Sequence, residues 1–290
     1  MSTLPGAAAS SSSTTSATAS ETTRRSVIGG IMSTEGSPRV SVVMPVYNSE
    51  RYLGQAMCSV LEQSLGDLEL LVVDDASTDG SRSVIAAMAQ RDPRVVPVPL
   101  DRNGGPARAR NLALSMARGQ YVAFLDSDDS WEPQKLELQL EEMKRTGTSL
   151  CACSYWMRSR DSYVPDRDRV FHVPERISYE DLMRTSYFSC STLVAERRLI
   201  PPDPFDPSLV HEDFGAWLKI MRSGEVACGI DKPLATYYVR RASRSSNKLR
   251  SAAGRWQALA RCTDEPLPKR VRLFLGYALG GLRKYGRLHG

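Results

Sequence analysis

Two periodicities alternate along the first half of the chain. Runs of β-branched and apolar residues at 39–46, 68–73, 95–99 and 121–125 read as buried strands. Between them, apolar residues recur every three or four positions, which predicts helices over 50–63, 81–90, 106–118 and 133–145. The first helix carries its stripe on Leu53, Ala56, Met57, Val60 and Leu61, and the third on the face of Leu112 and Met116. A strand–helix succession of this kind argues for a mostly parallel central sheet with helices on both faces. Such a sheet would gather its strand ends, Tyr47-Asn48, Asp74-Asp75 and Asp126 to Asp129, on one rim, where open α/β folds hold ligands.

The second half is less regular. Residues 150–156 and 190–194 read as strands, 211–222 as a helix, 226–230 and 234–239 as two short strands, and 268–288 as a basic helix interrupted by glycines. Residues 7–23 are Ala, Ser or Thr apart from Glu21, too polar to repay ordering, so 1–38 is expected to be disordered. The domain expectation is therefore a disordered segment over 1–38, one α/β domain over 39–240 and a basic helical extension over 241–290.

Charge sharpens that division. The net +5 conceals thirteen Lys and Arg against Asp264 and Glu265 from Arg240 onward, +11 for the tail and −6 for the rest. A basic tail on an acidic body points to an anionic partner or surface. Nucleic acid is not expected, because no binding module is present and aromatic platforms are sparse. The six cysteines form no metal or disulfide framework and read as free thiols of a reducing compartment. The apolar patch 27–32 is too short for a signal peptide, and no run approaches a membrane span, so a cytoplasmic location is expected.

The candidate chemistry lies in the acids. Residues 121–131 run from an apolar strand into Asp126, Asp128 and Asp129, and crowded carboxylates suit a hard cation such as Mg²⁺ or Mn²⁺. The plainer alternative is an acidic turn in which Asp129 or Ser130 caps the next helix. Asp74 and Asp75 close a strand, and an Asp there can accept from a base edge or a ribose. No glycine-rich phosphate cradle follows the first strand, so a metal on the acidic cluster would have to meet the phosphates of any nucleotide. Arg108 or Arg110 could reach phosphate or acceptor, with one of them a solvated helix-face residue. Asp213, in His211-Glu212-Asp213, is either an N-terminal helix charge or a general base.

Taken together, residues 40–81, 104–131 and the HED at 211–213 resemble the family 2 glycosyltransferases of the GT-A fold, over about residues 39–240. Residues 233–257 resemble in particular the non-processive enzymes of bacterial cell-surface polysaccharide assembly, the teichuronic-acid type. The resemblance implies that residues 39–130 bind a nucleotide-sugar donor and 131–240 the acceptor. Pro45, Tyr47 and Asn48 would line the nucleobase site, with Asp75 on the base edge, Asp126 near the ribose, and Arg108 and Lys248 reaching phosphate. Asp128 would hold Mn²⁺ or Mg²⁺, Asp213 would be the catalytic base, and Asp74, Asp129, Glu212 and Trp256 would form the surround or meet the acceptor.

The implied reaction moves one hexosyl group, with inversion, from a UDP-sugar to a hydroxyl of a saccharide or polyprenyl-linked saccharide; GDP- and dTDP-sugars stay open. Processive relatives carry Gln-x-x-Arg-Trp, of which only Arg255-Trp256 is present here. The alternatives are a polyprenyl-phosphate sugar transferase and a non-catalytic nucleotide-binding subunit of an assembly complex. The tail, with Leu273, Phe274, Leu275, Tyr277, Leu279 and Leu282 between basic clusters, reads either as a peripheral contact with an anionic membrane on its cytoplasmic face or as a helix packed on the domain.

Overall fold

Strand alternation divides the hydrophobic residues between two faces of one sheet. Val43, Leu71, Val73, Val122 and Phe124 point to one face. Val42, Met44, Leu70, Val72, Ala123 and Leu125 point to the other. Both faces are covered, which is why these strands read as continuous apolar runs. The computed structural model describes residues 36–159, 169–239 and 248–286, without the side chains of 248–249 and 279–286. The segment expected to be disordered therefore lies almost wholly outside the described residues.

The strands are β1 Val40–Val46, β2 Leu68–Asp74, β3 Val95–Pro99, β4 Tyr121–Phe124, β5 Ser130–Trp131, β6 Leu150–Ser159, β7 Arg169–Phe171, β8 Arg176–Ile177, β9 Leu193–Glu196 and β10 Ala227–Val239. They form one sheet in the order β3-β2-β1-β4-β9-β6-β10-β5, with β7 beside β6 and β8 beside β10. The first four are parallel, and β9 runs antiparallel between β4 and β6. The helices are α1 Glu50–Leu61, α2 Ser81–Arg91, α3 Pro106–Met116, α4 Lys135–Thr146, α5 Tyr179–Arg184, α6 Glu212–Met221, α7 Lys248–Cys262 and α8 Leu267–Gly286. This is the mixed α/β architecture that the strand–helix succession predicts.

Three local expectations differ. The two short strands at 226–230 and 234–239 are one long strand, β10, whose register against β6 shifts between Ile230 and Pro233 and again before Ala235. Residues 190–192 form a 3₁₀ turn, and the strand begins only at Leu193. On α3 the buried face is Ala107, Ala109, Arg110 and Ala113, while Met116 is exposed. Alanines let α3 lie close on β1 and β2, and they bring Arg110 under the sheet rim.

Aromatic packing fixes α6 to the sheet. Phe124 of β4, Phe205 and Trp217 of α6 meet edge to face, with centroids 5.2 to 5.7 Å apart. In the C-terminal extension the helix expected over 268–288 is α8, and α7, which was not expected, precedes it. α7 packs on α6, and α8 packs on α7 and α5. Gly254 permits this approach, because a Cβ there would stand 2.6 Å from Cβ of Val210, just before α6.

Candidate active site

Parallel pairing places the C-terminal ends of β1, β2 and β4 side by side, and the loops that leave them are laced together. Pro45 is partly open and Tyr47 is 50% exposed at the end of β1. Asn48, in a left-handed conformation at φ 48°, accepts from the Thr78 N–H at 2.8 Å and the Thr78 hydroxyl at 3.3 Å. Asn residues tolerate that region better than most. Ser49 Oγ meets Ser127 Oγ at 2.7 Å, which joins the first loop to the acidic turn.

The two acids at the end of β2 are buried and committed to neighbours. Asp74 pairs with Arg82 Nε at 2.6 Å and accepts from the Ser77 N–H. Asp75 accepts from Gly104 N–H on one oxygen and Gly105 N–H on the other, each at 2.7 Å. Asp75 thereby sets the loop that leads into α3. Each of its oxygens retains a further lone pair.

The acidic turn has a graded environment. Asp126 and Asp128 are partly open, whereas Asp129 is 1% exposed. Ser191 organises the turn from beneath: its hydroxyl donates to Asp129 Oδ2 at 2.5 Å and accepts from the Asp126 N–H at 3.2 Å. Its carbonyl takes Trp131 Nε1–H at 2.7 Å. The Tyr238 N–H adds a bond to Asp129 Oδ1 at 3.2 Å. Burial, with the charges of Asp126 and Asp128, drives the Asp129 carboxyl well above the ordinary range. Behind the turn, Lys135 Nζ lies 4.0 Å from the Trp131 ring centre and donates to Gln139 at 2.7 Å. Burial pushes that amine down to about 8.

Arg110 joins this turn to the HED segment. It is 3% exposed, with Nη2 donating to Asp126 Oδ1 at 2.6 Å and Nη1 to Glu212 Oε1 at 3.0 Å. Burial works against its charge, but Cys190, Asp126 and Glu212 outweigh it and raise its pKa well above the ordinary value. Beside Glu212, Asp213 accepts the Phe214 N–H on Oδ1 at 2.7 Å. Burial and then the Glu212 charge raise the Asp213 pKa, against the lowering influence of Arg110. His211 Nε2 donates to the Ser251 carbonyl at 2.9 Å, tying the start of α6 to α7. The structure thus brings Asp126, Asp128, Asp129, Glu212 and Asp213 into one electrostatic neighbourhood.

Two residues stand differently from the expectation, and a third is not described. Arg108 is exposed on the opposite side of α3 and lines a cleft with Asn111, Asp203 and Lys219, which neither Asp126 nor Asp213 lines. Two residues along a helix turn the side chain by about 200°, so only Arg110 can face the acids. Trp256, expected near the acceptor, packs edge-on against Phe274 at 5.6 Å and joins α7 to α8. Lys248 opens α7, and its side chain lies outside the described residues, as do residues 240–247 before it.

The donor set fits a divalent cation shared with a ligand. Among the described residues no three His, Cys, Asp or Glu form a metal cluster, so these residues supply no closed cage. Asp126 and Asp128 are partly open, and their charges add to burial in raising the Asp129 pKa. Asp126 is engaged by Arg110 and Asp129 is buried, while Asp128 stands partly open between them in sequence. Mg²⁺ and Mn²⁺ accept a carboxylate plus phosphate oxygens and water.

The family model described as glycosyl transferase family 2 matches residues 41–206. The putative teichuronic acid biosynthesis glycosyltransferase TuaG of Bacillus subtilis is 34% identical, over 87% of this chain and 99% of its own. The Escherichia coli UDP-Glc:α-D-GlcNAc-diphosphoundecaprenol β-1,3-glucosyltransferase WfgD is 33% identical, over 85% of this chain and 94% of its own. Among solved structures, S. aureus TarS 1–349 in complex with UDP superposes with a TM-score of 0.62 at 21% identity, over 87% of this chain and 74% of that one. The mannosyltransferase PcManGT from Pyrobaculum calidifontis, in complex with GDP-Man and Mn²⁺, gives 0.60 at 22% identity, over 88% and 77%. These likenesses carry the fold.

Proposed function

The chain belongs to glycosyl transferase family 2, and from that premise we propose that it moves one sugar, with inversion, from a UDP-sugar to a hydroxyl of a saccharide or lipid-linked saccharide. The setting we propose is cell-surface polysaccharide synthesis on the cytoplasmic face of the membrane, which the basic tail approaches as a peripheral contact. The relatives named for teichuronic acid synthesis and for a diphosphoundecaprenol acceptor support this setting. No described helix is long and apolar enough to cross a membrane.

The observation that carries the reading is Arg110, buried between Asp126 of the acidic turn and Glu212 beside Asp213. It supports a donor-side acid cluster and an acceptor-side base held at one rim. In the proposed reaction Asp213 takes the proton of the acceptor hydroxyl as its oxygen bonds to C1 of the sugar. The bond from C1 to the diphosphate oxygen breaks, and the nucleoside diphosphate leaves with that electron pair. The raised Asp213 pKa increases its proton affinity, the direction a base requires, and the Phe214 N–H orients Oδ1 while Oδ2 is left for the proton.

Asp128 would hold Mn²⁺ or Mg²⁺, and the bound cation would stabilise charge on the departing diphosphate. Pro45, Tyr47 and Asn48 would line the base site, Asp75 would meet the base edge with its remaining lone pairs, Asp126 would lie by the ribose, and Lys248 would reach phosphate. Residues 39–130 would then serve the donor and 131–240 the acceptor. Calorimetric titration with UDP, GDP and dTDP, with and without Mn²⁺, tests the donor half. Metal-dependent binding of UDP that is lost in Asp128→Ala is expected, and no nucleotide binding under any condition would overturn the reading.

A further inference from the structure

α8 has two apolar faces, and the domain covers one. Leu273 is buried, Phe274 meets Trp256, and the Tyr277 ring lies 4.9 Å from the Arg255 guanidinium. The other face carries Leu267, Val271 and Leu275, which are 55%, 40% and 54% exposed and one helical turn apart. Among the described residues six large apolar side chains are exposed, and half of them stand on this line. An exposed apolar line of this regularity marks a contact surface rather than scattered surface residues.

Charge identifies the partner. Arg272 is exposed next to Val271, and after Glu265 the sequence holds six Lys and Arg and no Asp or Glu. A second copy meeting this face would set cation against cation. A bilayer of anionic lipid takes up the apolar line and the cations together. Position completes the argument. Tyr277 Oη lies 3.4 Å from Ser251 Oγ, and the Ser251 carbonyl accepts from His211, two residues before Asp213. The third turn of α8 is therefore linked through Ser251 of α7 to the start of α6, where the proposed base stands.

We propose that the Leu267–Val271–Leu275 face of α8 docks the enzyme on an anionic bilayer with the Asp213 end of the fold beside the lipid surface. This rests on the lipid-linked acceptor reading above. The face would present a lipid-borne acceptor to the base, while a soluble acceptor would have no need of it.

Co-sedimentation of the full chain with phosphatidylglycerol vesicles and with phosphatidylcholine vesicles tests the surface. Wild type should sediment with the first and far less with the second. The variant Leu267→Gln/Val271→Gln/Leu275→Gln should bind anionic vesicles about tenfold or more weakly, since apolar insertion supplies much of such binding. It should turn over a soluble saccharide acceptor like wild type and lose rate on a lipid-linked acceptor in vesicles. Arg272→Glu should weaken binding by a smaller factor that salt abolishes. Equal vesicle binding by wild type and the triple variant would overturn the proposal, as would conversion of a wild-type dimer to a monomer by the triple variant. Turnover of soluble acceptor without vesicle binding would sink the docking surface alone. Vesicle binding without turnover of any acceptor would sink the transferase reading and leave the surface standing.

Discussion

Glu69 at one end of the central sheet and Asp129 and Asp213 at the other are buried carboxylates in opposite electrostatic settings. At the N-terminal end, Glu69 of β2 accepts from Ser41 Oγ at 2.6 Å, from the Arg118 N–H and Nε at 2.9 Å each, and from Arg118 Nη2 at 2.7 Å. Burial by itself would raise the Glu69 pKa, and these donors outweigh it, so the group titrates below its ordinary value. At the C-terminal rim, Asp129 and Asp213 are displaced upward, by burial and by neighbouring acids. One end is saturated with donors and serves stability. The other retains an excess of negative charge, which a cation or a proton in transfer can use.

Substitution of the proposed base gives the sharpest break in this contrast. Asp213→Asn should lower turnover roughly 10²–10⁴-fold, the range of general-base assistance, while UDP binding by calorimetry persists. Near-normal turnover would remove Asp213 from the role. Arg110→Met strips the rim of the cation shared by Asp126 and Glu212 and should cost about 3–5 kcal/mol in chemical denaturation, because buried carboxylates lose their partner. An unchanged midpoint would mean that the bridge does not join the two halves of the site.

The opposite end should respond in stability alone. Glu69→Gln should cost about 1–3 kcal/mol, the range for buried hydrogen bonds to a charged group, with turnover per folded molecule unchanged. Its pH dependence separates the two ends further. A carboxylate with a depressed folded pKa contributes stability above its unfolded pKa, and that contribution is lost as pH falls through the folded value. Wild type should therefore lose stability more steeply than Glu69→Gln on acidification below the ordinary glutamate range. Parallel curves would show that Glu69 gains nothing from its donors.

The legible part of this site was the part written in local sequence. Asp126, Asp128 and Asp129 stand out because an apolar run stops at them, and the strand–helix succession carries them to the same rim as Asp75. Glu212 and Asp213 announce themselves at the head of an amphipathic helix. What escaped depends on contacts far apart in sequence. Arg110 and Arg108 have the same chemistry, and only the face of α3 that meets the sheet separates them. The spacing of Ala107, Arg110, Ala113 and Ala117 holds that signal, but alanine is too small to outweigh Leu112 and Met116 in a hydrophobic pattern. Ser191 carries no mark at all, since any strand contains serines, yet its hydroxyl and carbonyl hold Asp129, Asp126 and Trp131. The buried Arg255, whose Nη2 donates to the Met183 carbonyl at 2.7 Å and whose guanidinium lies 3.5 Å from the Phe214 ring centre, looked like a remnant of a longer signature. Burial pushes its pKa down to about 10.

The bridge through Arg110 also dictates when the rim becomes complete during folding. Arg110 and Glu212 are 102 positions apart, so this contact closes a long loop at an entropic cost of about 4 kcal/mol by chain-closure scaling. During synthesis the segment through β4 leaves the ribosome well before residue 212. Until α6 docks, Arg110 can meet Asp126 but has no Glu212 to meet, and Phe124 lacks Trp217 to pack against. The nascent segment through β4 therefore waits for α6, and competence should appear as a late, single event rather than build up with chain length.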